Sequence, residues 1–153
     1  MLRLASVLLL VMSAANVQAH LVIKDAWVRE APPRAQTLAM FLNLTNHADH
    51  SVVINAASSE HFKKVEVHQT SFDKGMMRMK HIPELKMKAG EVIDFKPGGM
   101  HIMLMRPNKI FKAGDQIDIK LHLKSGKKKV VSALVRSKAP SAKPASDGHG
   151  HSH

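Results

Sequence analysis

His68, Met79, His101 and Met103 are the residues of this chain best suited to chemistry, and none of its 153 residues is a cysteine. Two imidazoles and two thioethers form a donor set for a soft metal. Thioether sulfur is uncharged and no proton competes for it at neutral pH, while imidazole adds a stronger, borderline donor. Both suit monovalent copper, and neither favours magnesium or calcium, which take oxygen ligands. Such a set could hold Cu(I) without the thiolate bond that traps the metal. The missing thiols also exclude a blue-copper electron-transfer centre, whose site requires a cysteine.

Strands must position these residues. From Leu21 to Val135 the chain reads as short β-type segments separated by turn signals. The pattern predicts strands over Val22 to Arg29 with Trp27 as anchor, Thr37 to Thr45, Ser51 to Ala56, Lys64 to Gln69, Met76 to His81, Glu91 to Phe95, His101 to Arg106, Gln116 to Lys124 and Val130 to Arg136. Asn46 to His50 reads as a polar turn, and Ser125-Gly126-Lys127 as a hairpin turn. About nine strands at this spacing argue for an antiparallel sandwich or a barrel.

Strand alternation tests the ligand set. In His101-Ile102-Met103-Leu104-Met105 the even residues suit a core, so His101 and Met103 project together from the other face. Same-face neighbours on a strand lie about 7 Å apart, close enough to reach one ion. In Val65-Glu66-Val67-His68 the valines face inward and His68 outward. Met77, Met79 and His81 form a third alternating set. Single methionines usually fill core gaps, and single histidines are usually surface residues. Outward thioethers or imidazoles on three segments together are better explained by binding. Glu66, Met77, His81, Met100 and Met105 are further candidates, whereas His47, His50, His61 and His122 read as surface residues.

The stretches Val65-Glu66-Val67-His68, Gly75-Met76-Met77-Arg78-Met79 and Pro97-Gly98-Gly99-Met100-His101-Ile102-Met103-Leu104-Met105 resemble the periplasmic copper chaperone family PCu(A)C. That family is marked by a histidine, ten residues, a methionine, twenty-one residues and His-x-Met, a spacing that His68, Met79, His101 and Met103 match without a gap. The resemblance spans about Leu21 to Val135. It implies a cupredoxin-like (immunoglobulin-like) antiparallel β-sandwich, with those four residues as Cu(I) ligands. It also implies delivery of copper to cytochrome c oxidase assembly, at the CuA centre or through a second chaperone. Arg106-Pro107 departs from the family, where a Gly-Leu pair is more usual.

The ends of the chain supply an address and a second donor cluster. Arg3, an apolar run from Leu4 to about Ala15 and Val17-Gln18-Ala19 read as a cleavable signal peptide over residues 1–19, which directs the protein to the periplasm. The run is too short for a membrane span, which needs roughly 20 residues. Cleavage after Ala19 would leave His20 as the N-terminus, with an amine and an imidazole that could chelate Cu(II). Residues 20–136 form the expected copper-binding domain, and 137–153 a disordered tail rich in Pro, Ser, Lys and Gly. His149, His151 and His153 alternate within that tail as a possible secondary Cu(II) site.

The formal net charge of +11 suits an acidic partner protein or an anionic surface. Export argues against nucleic acid. The expected partner is a copper-accepting oxidase subunit or a second copper chaperone, and the expected state is a monomer that turns over no substrate. A copper storage or resistance protein is the alternative, followed by a copper enzyme built on His20.

Overall fold

The computed structural model describes residues 21–140, and among these there is no α-helix. Ten strands follow one another: β1 (Leu21–Arg29), β2 (Thr37–Asn46), β3 (Val52–Ser58), β4 (Phe62–Asp73), β5 (Met76–His81), β6 (Leu85–Met87), β7 (Val92–Phe95), β8 (Met100–Pro107), β9 (Gln116–Leu123) and β10 (Lys128–Arg136). The tail with His149, His151 and His153, the signal segment and His20 lie outside the described residues.

Alternation sets the core. Leu38, Met40, Leu42 and Leu44 of β2 are buried on one face, as are Ile117, Ile119, Leu121 and Leu123 of β9. Val65 and Val67 of β4 meet Leu104 and Ile102 of β8 in register, so the expected inward residues of the two key strands lie side by side. Met40 and Met87 are fully buried and fill the core, whereas Met76, Met77 and Met79 are exposed. The methionines therefore divide into a packing class and an outward class.

The connectivity differs from that of two separate antiparallel sheets. The strands form one sheet in the order β5-β4-β8-β7-β2-β1-β10-β9-β3-β6, and a further pairing of β3 with β4 at Ala57 and Val65 closes it into a barrel. Closure pairs β3 with β4 and leaves β5 and β6 as the two outer edge strands. β1 pairs in parallel with β10, and β7 in parallel with β8; the other pairings are antiparallel. The barrel is one of the two architectures read from the strand spacing, whereas the parallel pairs and the closure depart from the antiparallel sandwich that the family resemblance implied. Local alternation specifies which face is buried, not which strand meets which.

Three further differences have local causes. β6 was not anticipated, because three residues between Pro83 and Gly90 carry too little pattern to read as a strand. β4 continues to Asp73 beyond the expected Gln69, because the β4–β5 hairpin projects past the core with β5 exposed throughout. Trp27 does anchor β1, but from outside the main core. A bulge at Asp25 (φ 53°) shifts the register, and Trp27 then packs on Phe41 at 4.9 Å between ring centres, with the Arg29 guanidinium over both rings.

Candidate copper site

Three adjacent strands, β5, β4 and β8, carry the predicted donors. In register, His68 of β4 pairs with His101 of β8 on one side and with His81 of β5 on the other. The three imidazoles form one row across the sheet, with ring centres 6.1 Å apart for His68–His101 and 5.3 Å for His68–His81. Met103 follows His101 on the same face of β8, opposite Glu66. Met79 sits on β5 opposite Thr70, one same-face step from the row towards the hairpin tip, with 51% of its surface exposed. The fold thus brings His68 and His101 together directly. Met103 and Met79 flank the row on opposite sides, Met79 at the rim.

The His101 ring is fixed by the turn that precedes it. Lys96-Pro97-Gly98-Gly99 has proline second and a glycine at φ 80° third, the type II pattern, and the Gly99 N–H donates to the Lys96 carbonyl at 3.0 Å. The turn presents the Gly99 carbonyl to two donors: the Thr70 N–H at 3.0 Å and His101 Nδ1 at 3.1 Å. A carbonyl only accepts, so Nδ1 carries the proton and the lone pair of the neutral ring lies on Nε2. The His101 residue is buried to 7% exposure, which further restricts the ring.

Around His68 the partners are charged. Its Nε2 is 2.9 Å from Glu66 Oε2, while Lys64 Nζ is 2.7 Å and His81 Nε2 3.7 Å from Glu66 Oε1. The Lys64 contact first, and the His68 bond next, hold the Glu66 carboxyl below the usual carboxylate range. His68 Nδ1 is buried and has no hydrogen-bond partner. Such an orphaned nitrogen beside a second imidazole fits a metal ligand.

Among the described residues, no three His, Cys, Asp or Glu are grouped so as to hold a metal ion by themselves. A complete coordination sphere here must draw on thioethers, which again favours a soft cation. Of the further candidates, His81 and Glu66 stand directly beside His68, whereas Met77 is 65% exposed towards the hairpin tip. Sequence reasoning missed how close His81 comes to the row. Its equal parity with Met79 was the available signal, but only the β4–β5 register places it opposite His68. Of the four histidines read as surface residues, His122 bonds Ser58 Oγ at 2.7 Å and His61 packs edge-on against Phe111.

Comparison with known proteins places the whole folded part. The family model described as "Putative lipoprotein LpqE-like" matches residues 21–135. The chain belongs to the LpqE-like family. The structure is similar to that of the Cu(I)-bound DR1885 protein of Deinococcus radiodurans, with 26% identity and a TM-score of 0.64 over 82% of this chain and 83% of that one. It also resembles the copper-bound PCuAC domain of PmoF2, with 17% identity and a TM-score of 0.64 over 76% of this chain and 92% of that one. These neighbours share the all-β fold, in agreement with the resemblance to PCuAC domains. An uncharacterised protein of Rickettsia prowazekii, RP573, is 32% identical over 103 residues, covering 67% of this chain; the chain spans 57% of that relative's length.

Proposed function

We propose that this protein is an exported, periplasmic copper chaperone that binds Cu(I) through His68, Met79, His101 and Met103. It would deliver the ion to cytochrome c oxidase assembly, at the CuA centre or through an intermediary chaperone. The observation that carries this reading is the paired state of the two rings. His68 and His101 are in-register neighbours, each with one nitrogen already hydrogen-bonded by the protein and the other unclaimed, beside outward methionines the core does not use. The copper-binding neighbours of the same fold support it.

Delivery follows from the ligand types. Neutral His2Met2 ligation leaves a net charge of +1 on the site, and a target with thiolates could take the ion by stepwise exchange. The exposed β4–β5 hairpin, with Phe72 of β4 and Met77 and Met79 of β5 on the same face as the histidine row, is where such a target can approach. The family name points to export, yet these 153 residues contain no cysteine for lipid attachment. Export here rests on the signal segment. In the same reading the tail residues His149, His151 and His153 capture Cu(II).

The test is an anaerobic Cu(I) titration against a chromophoric chelator, on native protein, on His101→Ala/Met103→Ala, and on a chain ending at Pro140. That end point is chosen because Ala139 and Pro140 line a groove with Trp27 and Phe95. One-to-one binding that survives truncation and is lost in the double variant is the expected result. Binding lost with the tail would overturn the four-ligand site.

A further inference from the structure

Beside the four donors stands a set of side chains to which the Cu(I) reading gives no task. Lys64 and Glu66 alternate with the donor His68 along β4 and share its face. Glu66 Oε1 is held by Lys64 at 2.7 Å, with His81 further off at 3.7 Å, and Oε2 is left to His68 Nε2 at 2.9 Å. An ionised carboxylate accepts and cannot donate, so the proton of that last bond sits on Nε2. A neutral imidazole has one ring proton, so the lone pair of His68 lies on Nδ1. That is the nitrogen found buried and unpartnered. Leaving a buried polar atom unpaired is costly, and a bound ion removes that cost.

We propose that Glu66 is the positioning residue of the copper site: it holds the Nε2–H of His68, so that His68 takes Cu(I) through Nδ1 while His101 takes it through Nε2. The two rings thus use opposite nitrogens, one fixed by a side-chain carboxylate and the other by the Gly99 carbonyl. This rests on the reading of His68 as a ligand. Carboxylates hydrogen-bonded to the far nitrogen of a metal-bound imidazole fix its tautomer and raise its basicity. Lys64 keeps the carboxylate turned to the ring, and a hard oxygen donor has little attraction for Cu(I) in any case.

Long-range proton–nitrogen NMR on protein with labelled imidazoles reads the tautomer without copper. In the apo protein, His68 Nε2 is expected to be protonated and Nδ1 bare. On anaerobic addition of Cu(I), the Nδ1 signal is expected to move while the Nε2 proton stays. Chelator competition supplies the second readout. Glu66→Ala is expected to weaken Cu(I) binding about 10–100-fold. Glu66→Gln, whose amide oxygen can still accept the Nε2–H, should weaken it less and keeps the side chain's size and shape.

The opposite arrangement makes Glu66 a competitor that copper must displace. It predicts loss of the Nε2 proton on loading and tighter binding in Glu66→Ala, and either result overturns the proposal. Tight Cu(I) binding that moves neither His68 nitrogen overturns the ligand reading itself, which sets that failure apart from the other.

Discussion

At the scale of single residues, the site depends on which atoms are already engaged. His68 and His101 each give one nitrogen to the protein, whereas Met79 is half exposed. Imidazole is the stronger donor, so the histidines should dominate affinity and the methionines should govern release. His68→Ala is expected to lower Cu(I) affinity by more than about tenfold. Met79→Leu is expected to speed transfer to a thiolate acceptor with a smaller loss of affinity, and stopped-flow transfer kinetics check the order. Faster transfer from His68→Ala than from Met79→Leu would reverse it.

Glu66 makes a separate prediction about acid. Its folded-state carboxyl lies below the ordinary value of about 4.3, held there by Lys64 and then His68. The resulting stabilisation is therefore fully present above about pH 4.3 and is lost as pH falls through the depressed folded value. Denaturation midpoints measured from neutral pH down to about pH 3 should fall less steeply in Glu66→Gln than in the native protein. Parallel curves would show that the Glu66 contacts contribute nothing to stability.

Among the elements, two turns and one strand end carry specific costs. The β4–β5 hairpin turns through Lys74 (φ 48°) and Gly75 (φ 78°), the paired positive values of a two-residue type I′ turn. Asp73-Lys74-Gly75 is legible in sequence as a turn, and the structure adds that the turn sets the register placing Met79 and His81 beside β4. At the end of β8, Arg106 adopts φ 54°, the left-handed region that disfavours a side chain. The family resemblance leads one to expect glycine here, the residue that adopts this conformation without a side-chain clash. Arg106→Gly should raise stability by about 1 kcal/mol, read as a shift in denaturant midpoint.

Asn46, expected in a turn, instead ends β2 fully buried. Its amide donates to the carbonyls of His50 and Lys88, both at 2.9 Å, and its Oδ1 accepts from the Ala48 N–H at 3.0 Å. It ties the turn after β2 to the turn before β7. Asn46→Ala leaves several buried groups unpaired and should cost about 3 kcal/mol in chemical denaturation. A polar residue at a strand end reads as exposed in sequence, and only the folded chain shows that its partners lie 41 and 42 residues away.

For the whole molecule, charge and closure matter most. A formal net charge of +11 favours encounter with an acidic acceptor and suffers from salt screening. Copper transfer to such an acceptor should slow by about tenfold between about 0.02 M and about 0.3 M salt, with Cu(I) affinity unchanged. A salt-independent rate would mean that the acceptor surface is not acidic. Closure acts on architecture: β1 and β10 pair in parallel at Trp27–Leu134, joining the two ends of the folded chain, while β3 meets β4 to close the ring.

The amino-acid sequence by itself determined what local rules can reach. Alternation set the inward residues of β2, β4, β8 and β9, turn chemistry set the hairpins, and the spacing of His68, Met79, His101 and Met103 pointed to a soft-metal site. The tertiary structure decided which strands are neighbours. It put β8 beside β4, His81 and His101 in one row with His68, and it chose a closed barrel with two parallel pairs over the antiparallel sandwich. It also decided which nitrogen of His68 and of His101 the protein engages. The reason is range: periodicity and turn propensity act over a few residues, whereas strand pairing and ring orientation are fixed by hydrogen bonds to residues far away in the chain or by partners whose direction depends on them.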